Sequence, residues 1–381
     1  MFTNRHHHHI DKLLHLKDKL SFIYTHLILQ SFALSLIGVF IPIFLYTIGF
    51  DLRKIILFIL VQWIFFGGFS PVYARIVSKI GLKEVIIIRT PLLILNLFLL
   101  YILPGSHFLQ SYVYVLAALE GISGALYTMS ITSLFAKHIG IKQQGKRTAK
   151  FMAFPRMASV IAPAIGGFIA LEFGFPLLFL LVLLILTISL IPIFFLKENI
   201  DHPGYKSLLF KDFKKHFKEF ITLNGYAMRG VALGILLPIA IYLYKQNTFS
   251  LGVVTSLSAL ASAMLYIYLG SVVDKKGINN FIRFGGVYTG VLMVLMGIYI
   301  ESYFLVVLAV LIGFNTVPIA YETHLYREAK KHRSPLEFIS FKEFSLFIGR
   351  SIFLLFLLFI TIEFDTAFYI GALASLVFVF F

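Results

Sequence analysis

Long apolar stretches separated by short polar segments run through the whole chain. A helix needs about 20 predominantly apolar residues to cross the hydrocarbon core of a bilayer, and twelve stretches are of that kind. The pattern predicts an all-α membrane protein with twelve transmembrane helices, numbered here as spans 1 to 12. Their predicted bounds are 22–48, 54–74, 85–103, 111–136, 148–170, 176–196, 221–244, 249–272, 282–300, 303–323, 339–361 and 366–381.

The composition agrees with a chain that has little mass outside the membrane. Hydrophobic residues make up 59% and charged residues 13% of the 381 positions, whereas about a quarter of a soluble protein is charged. The absence of cysteine excludes disulfides and thiolate metal sites. The sequence has no phosphate-binding loop of the form G-x-x-x-x-G-K-S/T. We therefore expect neither a cofactor nor ATP as the direct energy source.

Basic residues are concentrated in the loops on one side of the predicted membrane. The loops on the opposite side hold only Arg53, Lys54 and Lys245. Because loops rich in Lys and Arg stay in the cytoplasm, we predict that both termini are cytoplasmic, in the inner membrane of a prokaryote. This distribution also accounts for the net charge of +15 without binding to nucleic acid. The basic loops are 1–21, 75–89, 137–150, 197–220, 273–283 and 324–342.

The N-terminal segment 1–21 is predicted to form a short amphipathic helix on the membrane surface. No small-residue cleavage site follows span 1, so that span is expected to stay in the protein. His6 to His9 are interpreted as a solvated tail or the remnant of a tag, with metal binding as the alternative. We predict no metal site within the spans.

Two short patterns occur twice, once in each half of the chain. Gly38–Tyr46 and Gly234–Tyr242 both read G-x-x-x-P-x-x-x-Y, and the polar turns Ala74–Gly81 and Gly270–Gly277 read A-R-I-V-S-K-I-G and G-S-V-V-D-K-K-G. An internal repeat indicates a duplicated architecture. The predicted units are the N-terminal segment 1–21, a six-helix half 22–196, a cytoplasmic linker 197–220 and a second six-helix half 221–381.

With these features the chain resembles the major facilitator superfamily, whose members have twelve spans in two halves. In that family the turns after spans 2 and 8 read roughly G-x-x-x-D-R/K-x-G-R/K, and the resemblance implies that they latch the cytoplasmic side shut. The second copy here has a carboxylate where the first copy has a hydroxyl. The gating residues that this resemblance implies are Ser78, Lys79, Gly81, Gly270, Asp274, Lys275 and Gly277.

A run in span 5 adds to the resemblance. Ala158–Gly167 is similar to the G-x-x-x-G-P-x-x-G-G run of many antiporters in the family, and Pro163, Gly166 and Gly167 match it. Proline loosens the helical backbone and glycine permits close helix contact. We therefore predict a helix-packing role for these three residues, and the resemblance favours export.

A run in span 4, Ala117–Leu126, is similar to the family pattern R-x-x-Q-G-x-x-A-A. Ala117 stands at the position of the Arg that the family links to proton coupling, and Glu120 stands at the position of the Gln. Glu120 lies about 13 Å from the outer end of its span, at about 1.5 Å per residue. An ionisable residue at that depth is a functional candidate by default. We predict proton coupling through Glu120, with a structural hydrogen bond as the alternative.

Further charged residues fall inside the predicted spans. Arg229 and Arg350 are intramembrane, and Arg350 is too deep for its side chain to reach the headgroups. Arg156 in span 5 and Glu343 in span 11 occupy equivalent positions of the two halves. Their opposite charges suggest an ion pair at the cytoplasmic gate.

Spans 1, 4, 7 and 10 line the central cavity in the family that the chain resembles. We predict a monomeric secondary transporter in the lipid bilayer, not an enzyme, that exports a small organic or amphipathic molecule by alternating access with protons as the coupling ion. The alternatives are uptake of a small anion attracted by Arg229 and Arg350, lipid translocation, and a polytopic membrane enzyme. The candidate substrate and coupling residues are Glu120, Arg229, Arg350, Gln30, Ser123, Tyr127 and Asn315.

Overall fold

A computed structural model describes residues 19–138, 144–196, 204–207, 213–276, 279–299, 316–359 and 363–380. These residues form helices joined by short connections, and they contain no β-strand. Within this part of the chain, eight helices are long and apolar enough to cross a membrane, or up to nine if a bent pair counts as one span. The predicted all-α membrane fold is confirmed.

Each of the twelve predicted spans coincides with helical structure, although only the end of the tenth falls within the described residues. We number the corresponding helices α1 to α12. Their bounds are α1 Lys19–Ile37 and Ile41–Thr47, α2 Leu52–Trp63 and Ser70–Ile80, α3 Leu82–Ile102, α4 Val113–His138, α5 Gln144–Ala158 and Ala162–Glu172, α6 Gly174–Phe195, α7 Phe217–Val231 and Leu237–Lys245, α8 Thr248–Lys276, α9 Asn279–Ile298, α10 Thr316–Ala329, α11 Pro335–Phe359 and α12 Phe364–Ser375.

The repeated G-x-x-x-P pattern marks a break in both α1 and α7. In α1, a 3₁₀ turn at Gly38–Phe40 precedes a second segment that has Pro42 in its first turn. In α7, a π turn at Ala232–Leu236 precedes a second segment that has Pro238 in its first turn. Proline lacks a backbone N–H and is tolerated at the start of a helix. The same pattern therefore ends one helical segment and begins the next in each half.

Breaks also occur in α5 and α2. The chain leaves the α-helix at Ser159–Ile161, and Pro163 then lies in the first turn of the second α5 segment. The amide N–H of Ala164 is too close to this helix start to have an intrahelical acceptor, and it donates to Ser256 Oγ of α8 at 3.0 Å. In α2, a π turn at Ile64–Gly68 adjoins a bend of 52°.

Three sequence predictions differ from the structure at helix ends. Most of Ala74–Gly81 and Gly270–Gly277 is helical rather than a turn, because α2 continues to Ile80 and α8 to Lys276. Arg89, which we assigned to the loop 75–89, lies inside α3 and is buried. The hydropathy pattern placed this helix start too late because Lys83, Glu84 and Arg89 interrupt the apolar run.

Several predictions fall outside the described residues. These are the surface helix predicted within 1–21, His6 to His9, most of the linker 197–220, Gly277 and Asn315. The division into four units therefore stays a prediction.

The hydrophobic core differs between the two ends of the bundle. At the end predicted to face outside, one cluster joins α1 and α2 to α7, α8 and α11, with Phe40 and Phe353 among its most buried members. Toward the predicted cytoplasmic end the core divides into two clusters, one around Phe135 and one around Tyr321 and Phe338. The two predicted halves are therefore packed most continuously at the outer end.

Candidate functional site

The bend in α2 places an aromatic segment against α4 and α11. A Cβ added to Gly121 of α4 would meet the carbonyl oxygen of Gln62 and lie 3.0 Å from the amide nitrogen of Phe66. On the other side of α2, a Cβ on Gly67 would meet Phe347 of α11 and lie 2.7 Å from the carbonyl oxygen of Glu343. Glycines at both contacts let the backbones approach closely. Residues 62–67 thus lie between a helix of the first predicted half and one of the second.

Arg350 contacts this segment from α11. Its guanidinium carbon lies 3.6 Å from the centroid of the Trp63 ring and 5.9 Å from that of Phe66. Arg350 Nη1 and Trp63 Nε1 are both buried and have no hydrogen-bond partner among the described residues. We call these two side chains the Trp63–Arg350 pair. Arg350 is predicted to lie too deep in its span to reach the headgroups, and in the structure its guanidinium contacts aromatic rings.

Glu120 is next in sequence to Gly121, the residue at which α4 contacts Gln62 and Phe66 of α2. Among the described residues, no hydrogen-bond partner reaches the buried Oε2 atom of Glu120. A buried ionised carboxylate without a partner is costly, so this oxygen must gain a proton or a donor. Glu120 of α4 and Arg350 of α11 thus belong to the two helices between which residues 62–67 of α2 lie.

Tyrosines of α7 and α8 lie close to two more arginines. The Arg229 guanidinium carbon lies 5.7 Å from the centroid of the Tyr226 ring, and Arg229 is buried. A side-chain hydrogen bond joins Arg156 of α5 to Tyr266 of α8, and Arg156 itself is exposed. Arg156 therefore contacts the second predicted half through a tyrosine.

The suggested ion pair between Arg156 and Glu343 is not formed in this structure. Glu343 lies instead beside Lys342, with 3.9 Å between Lys342 Nζ and Glu343 Oε1. Lys342 Nζ also donates to both carboxylate oxygens of Glu322 in α10, at 3.0 and 3.2 Å. Positions 156 and 343 are equivalent in the repeat, but this equivalence did not indicate that Lys342 lies beside the Glu343 carboxylate. Lys342 and Glu322 are site residues that the sequence reasoning missed.

Three of the predicted cavity residues, Gln30, Ser123 and Tyr127, contact Arg89 in this structure. Arg89 Nη2 donates to Gln30 Oε1, and its guanidinium carbon lies 4.0 Å from the centroid of the Tyr127 ring. Ser123 Oγ donates to the backbone carbonyl of Arg89 at 3.5 Å. His26 completes the group, with its ring tilted relative to that of Tyr127 and 5.7 Å between the ring centroids. Helices α1, α3 and α4 thus share a buried polar cluster around a cation.

Aromatic rings join the two predicted halves at both ends of the bundle. At the predicted cytoplasmic end, Phe135 of α4 stacks on Phe151 of α5 at 4.0 Å, and both contact Tyr326 of α10 edge to face. At the outer end, Tyr46 of α1 and Tyr242 of α7 have ring centroids 6.4 Å apart. These two tyrosines close the repeated G-x-x-x-P-x-x-x-Y pattern. That shared position is the one sequence signal that could have identified the outer contact.

The three residues of the span 5 run all lie at close helix contacts. A Cβ on Gly166 would meet the carbonyl oxygen of Leu36 in α1, and one on Gly167 would lie 2.5 Å from that of Thr248 in α8. Thr248 Oγ1 donates to the carbonyl of Gly167 at 3.0 Å. The Pro163 carbonyl lies against Gly252 of α8. These contacts support the predicted packing role, and two of them join the predicted halves.

The predicted gating turn differs between its two copies. In the first copy Gly81 has φ +112°, a conformation that favours glycine, and it ends α2 directly before α3. Ser78 Oγ donates to the carbonyl of Arg75 at 2.8 Å, and Lys79 lies in the last turn of α2. In the second copy the backbones of Gly270, Asp274 and Lys275 are helical, and their side chains lie outside the described residues.

Comparison with known proteins identifies the family. A family model described as Major Facilitator Superfamily matches residues 23–321. The multi-drug resistance efflux pump PmrA homolog of Lactococcus lactis is 21% identical over 263 residues, which cover 66% of this chain and 64% of that protein. Multidrug resistance protein 2 of Bacillus subtilis is 25% identical over 275 residues, which cover 67% of each chain. The chain thus matches about two thirds of the length of these relatives.

Solved structures share the fold at low sequence identity. The transporter FucP in the outward conformation has a TM-score of 0.70 at 13% identity, covering 94% of this chain and 96% of that one. The human organic anion transporter MFSD10 has a TM-score of 0.68 at 13% identity, covering 94% and 97%. A bacterial homologue of the iron transporter ferroportin in the outward-facing state has a TM-score of 0.67 at 16% identity, covering 95% and 98%. Because the family model matches well over half of the chain, this protein belongs to the Major Facilitator Superfamily of membrane transporters.

Proposed function

We propose that this transporter exports a small amphipathic organic molecule by alternating access and couples export to protons through Glu120. The names of the two relatives as multidrug efflux proteins favour export. The aromatic segment of α2 between α4 and α11 favours an apolar substrate body. Alternating access requires two halves that separate at either end in turn, and the aromatic contacts at both ends suit that motion.

The observation that carries the proposal is the environment of Glu120. Its Oε2 atom is buried inside the predicted span 4, in the first third of α4, and has no hydrogen-bond partner among the residues that the structure describes. A carboxylate in this position is stable when it carries a proton and unstable when it is ionised, unless water or a cation reaches it. Opening of the bundle to one side would supply water and release the proton there. Glu120 thus has the chemistry that a proton-coupling residue needs.

The test uses purified protein in liposomes that enclose the pH indicator pyranine. An imposed pH gradient should drive accumulation of an amphipathic dye, and dye movement should in turn move protons that pyranine reports. The dyes are carboxyfluorescein, which is anionic, and ethidium, which is cationic. We expect Glu120→Gln to abolish the proton-driven component of dye flux, because an amide cannot release a proton.

The matched control is Glu172→Gln, which removes an exposed carboxylate at the outer end of α5. It should keep proton-driven flux. If Glu120→Gln keeps the same proton-to-dye coupling as the unmodified protein, Glu120 is not the coupling residue. If accumulation occurs only in the uptake direction, the proposal of export is wrong.

A further inference from the structure

The Trp63–Arg350 pair has unused binding capacity inside the membrane. A guanidinium is always charged in a protein and has five N–H donors, and an indole has one. Arg350 Nη1 and Trp63 Nε1 are both buried, and neither has a hydrogen-bond partner in the part of the chain that the structure describes. The two groups are in direct contact, with the guanidinium carbon 3.6 Å from the ring centroid. Two unused donors and one full positive charge therefore lie at a single place.

The nearby carboxylates are occupied by another cation. Glu322 accepts two hydrogen bonds from Lys342, and Glu343 lies 3.9 Å from the same ammonium group. Glu343 also lies two turns before Arg350 on α11, a rise of about 10 Å along the helix. Among the described residues no carboxylate lies within ion-pair distance of Arg350, and its guanidinium rests on aromatic faces. Cation–π contacts compensate only part of the cost of a desolvated charge.

We propose that the Trp63–Arg350 pair binds the anionic headgroup of the transported molecule, a carboxylate or a group of similar geometry. This inference rests on the proposed function, because it names the chemical class of the substrate. The planar guanidinium binds a carboxylate through two parallel N–H donors, and the indole N–H adds a third donor. The ring of Phe66 on the same α2 segment, with its centroid 5.9 Å from the guanidinium carbon, provides an apolar surface for the substrate body.

The position of the pair also suits a transported ligand. Trp63 is the last residue before the π turn of α2, in the first predicted half, and Arg350 belongs to α11 of the second half. Gly67 of that π turn packs directly against Phe347, one turn before Arg350. A headgroup bound between Trp63 and Arg350 therefore contacts both halves at the point where they meet, as a substrate of an alternating-access transporter must.

The test exploits the fact that Trp63 is the only tryptophan in the chain. Its emission reports on ligands at this site without a label. Purified protein in nanodiscs is titrated with octanoate and decanoate at concentrations below those at which they form micelles. Octanol and octylammonium serve as neutral and cationic probes of matched length. We expect a saturable change in Trp63 emission with the two carboxylates, and affinities at least about tenfold weaker for the alcohol and the amine.

The variants separate binding from folding. Arg350→Gln should lose the carboxylate response, and Arg350→Lys should weaken it at least about tenfold, because an ammonium lacks the planar pair of donors. Arg283→Gln removes an exposed cation of α9 and should bind as the unmodified protein does. Size-exclusion profiles and thermal unfolding identify any variant that fails to fold. Trp63→Phe, followed by calorimetry with decanoate, tests whether the indole N–H contributes to binding.

Equal responses to all probes, no saturable response to either carboxylate, or an unchanged response in Arg350→Gln would overturn the proposed headgroup site. Binding at equilibrium needs no transport, so this result is separable from the proposed function. Arg350-dependent octanoate binding with no proton-coupled dye flux would leave the site standing and reject the coupling. Proton-coupled flux without carboxylate binding would reject the headgroup site and leave the proposed coupling standing.

Discussion

Arg89 shows how one buried cation organises part of the first predicted half. It lies 2% exposed in α3, donates to Gln30 of α1 and stacks over Tyr127 of α4. No ion pair of Arg89 with a carboxylate is found in the described part of the chain, so Gln30 Oε1 and the Tyr127 ring take the place of an anion. The cluster therefore depends on each of its members. Arg89 also lies on α3, outside the four helices that the family resemblance assigns to the cavity.

We predict that Arg89→Met destabilises the protein by about 1–3 kcal/mol, because it leaves the buried amide of Gln30 without its donor. The double variant Arg89→Met with Gln30→Leu should recover part of that loss, since replacing both partners removes the unsatisfied acceptor. Unfolding in detergent measures both effects. Arg75→Met, at an exposed position near the end of α2, is the control and should be nearly neutral. A double variant less stable than Arg89→Met would contradict this explanation.

Two neighbouring glycines of α5 contact different helices. Gly166 contacts α1 within the first predicted half, whereas Gly167 contacts α8 of the second. At both glycines an added Cβ would meet a backbone carbonyl oxygen. A backbone atom cannot move aside as the end of a flexible side chain can. Gly230 in α7 provides the opposite case, because no atom lies within 4 Å of a Cβ added there.

We predict that Gly167→Ala shifts the protein away from the state with a closed outer end, while Gly166→Ala mainly lowers its stability. Gly230→Ala should be neutral or stabilising by up to about 1 kcal/mol, as expected for this exchange within a helix. Spin labels on cysteines introduced at Arg53 and Lys245 report the distance between the halves at the outer end, and the chain has no cysteine of its own. Gly167→Ala should lengthen that distance.

The same spin-label distances can also contradict the prediction for Gly166 and Gly167. If Gly166→Ala lengthens the label distance as much as Gly167→Ala does, the two glycines do not separate packing within a half from packing between halves. Thermal unfolding of each variant, measured on the same samples, shows whether a change of distance reflects loss of structure.

For the whole molecule, the two aromatic contacts act at opposite ends of the same interface. Phe135, Phe151 and Tyr326 join the halves at the predicted cytoplasmic end, and Tyr46 with Tyr242 joins them at the outer end. The continuous hydrophobic core at the outer end reinforces the second contact. Loss of either contact changes the free-energy difference between the state open to the cytoplasm and the state open to the outside. The two losses change this difference in opposite directions.

We predict that Tyr326→Ala increases the population open to the cytoplasm and that Tyr46→Ala increases the population open to the outside. An aromatic pair contributes about 0.5–1.5 kcal/mol beyond its buried area, so each population ratio should change by severalfold. The labels at positions 53 and 245 should respond to Tyr46→Ala with longer distances and to Tyr326→Ala with shorter ones. Shifts of the same sign in both variants would show that the two contacts do not oppose each other.

The all-α membrane fold, the order of its apolar helices and the places where several of them break could be predicted from the sequence alone. These features follow from local physics. Hydropathy over about 20 residues selects the spans, and a proline without an N–H sets a break in α1, α5 and α7. The depths of Glu120 and Arg350 follow from helical rise alone. The start of α3 and the ends of α2 and α8 were predicted less well. Charged residues at a helix end lower the local hydropathy as a loop does.

Which of these side chains contact one another depends on how the helices pack. Arg350 lies on Trp63, Lys342 rather than Arg156 lies beside Glu343, and Tyr326 closes the cytoplasmic contact. Each contact joins residues that are distant in sequence or depends on how a helix is rotated about its axis. Helices that are apolar on all sides carry no periodic signal for that rotation. It is fixed by close backbone contacts, such as those of Gly67 and Gly121, which form only when the helices pack together.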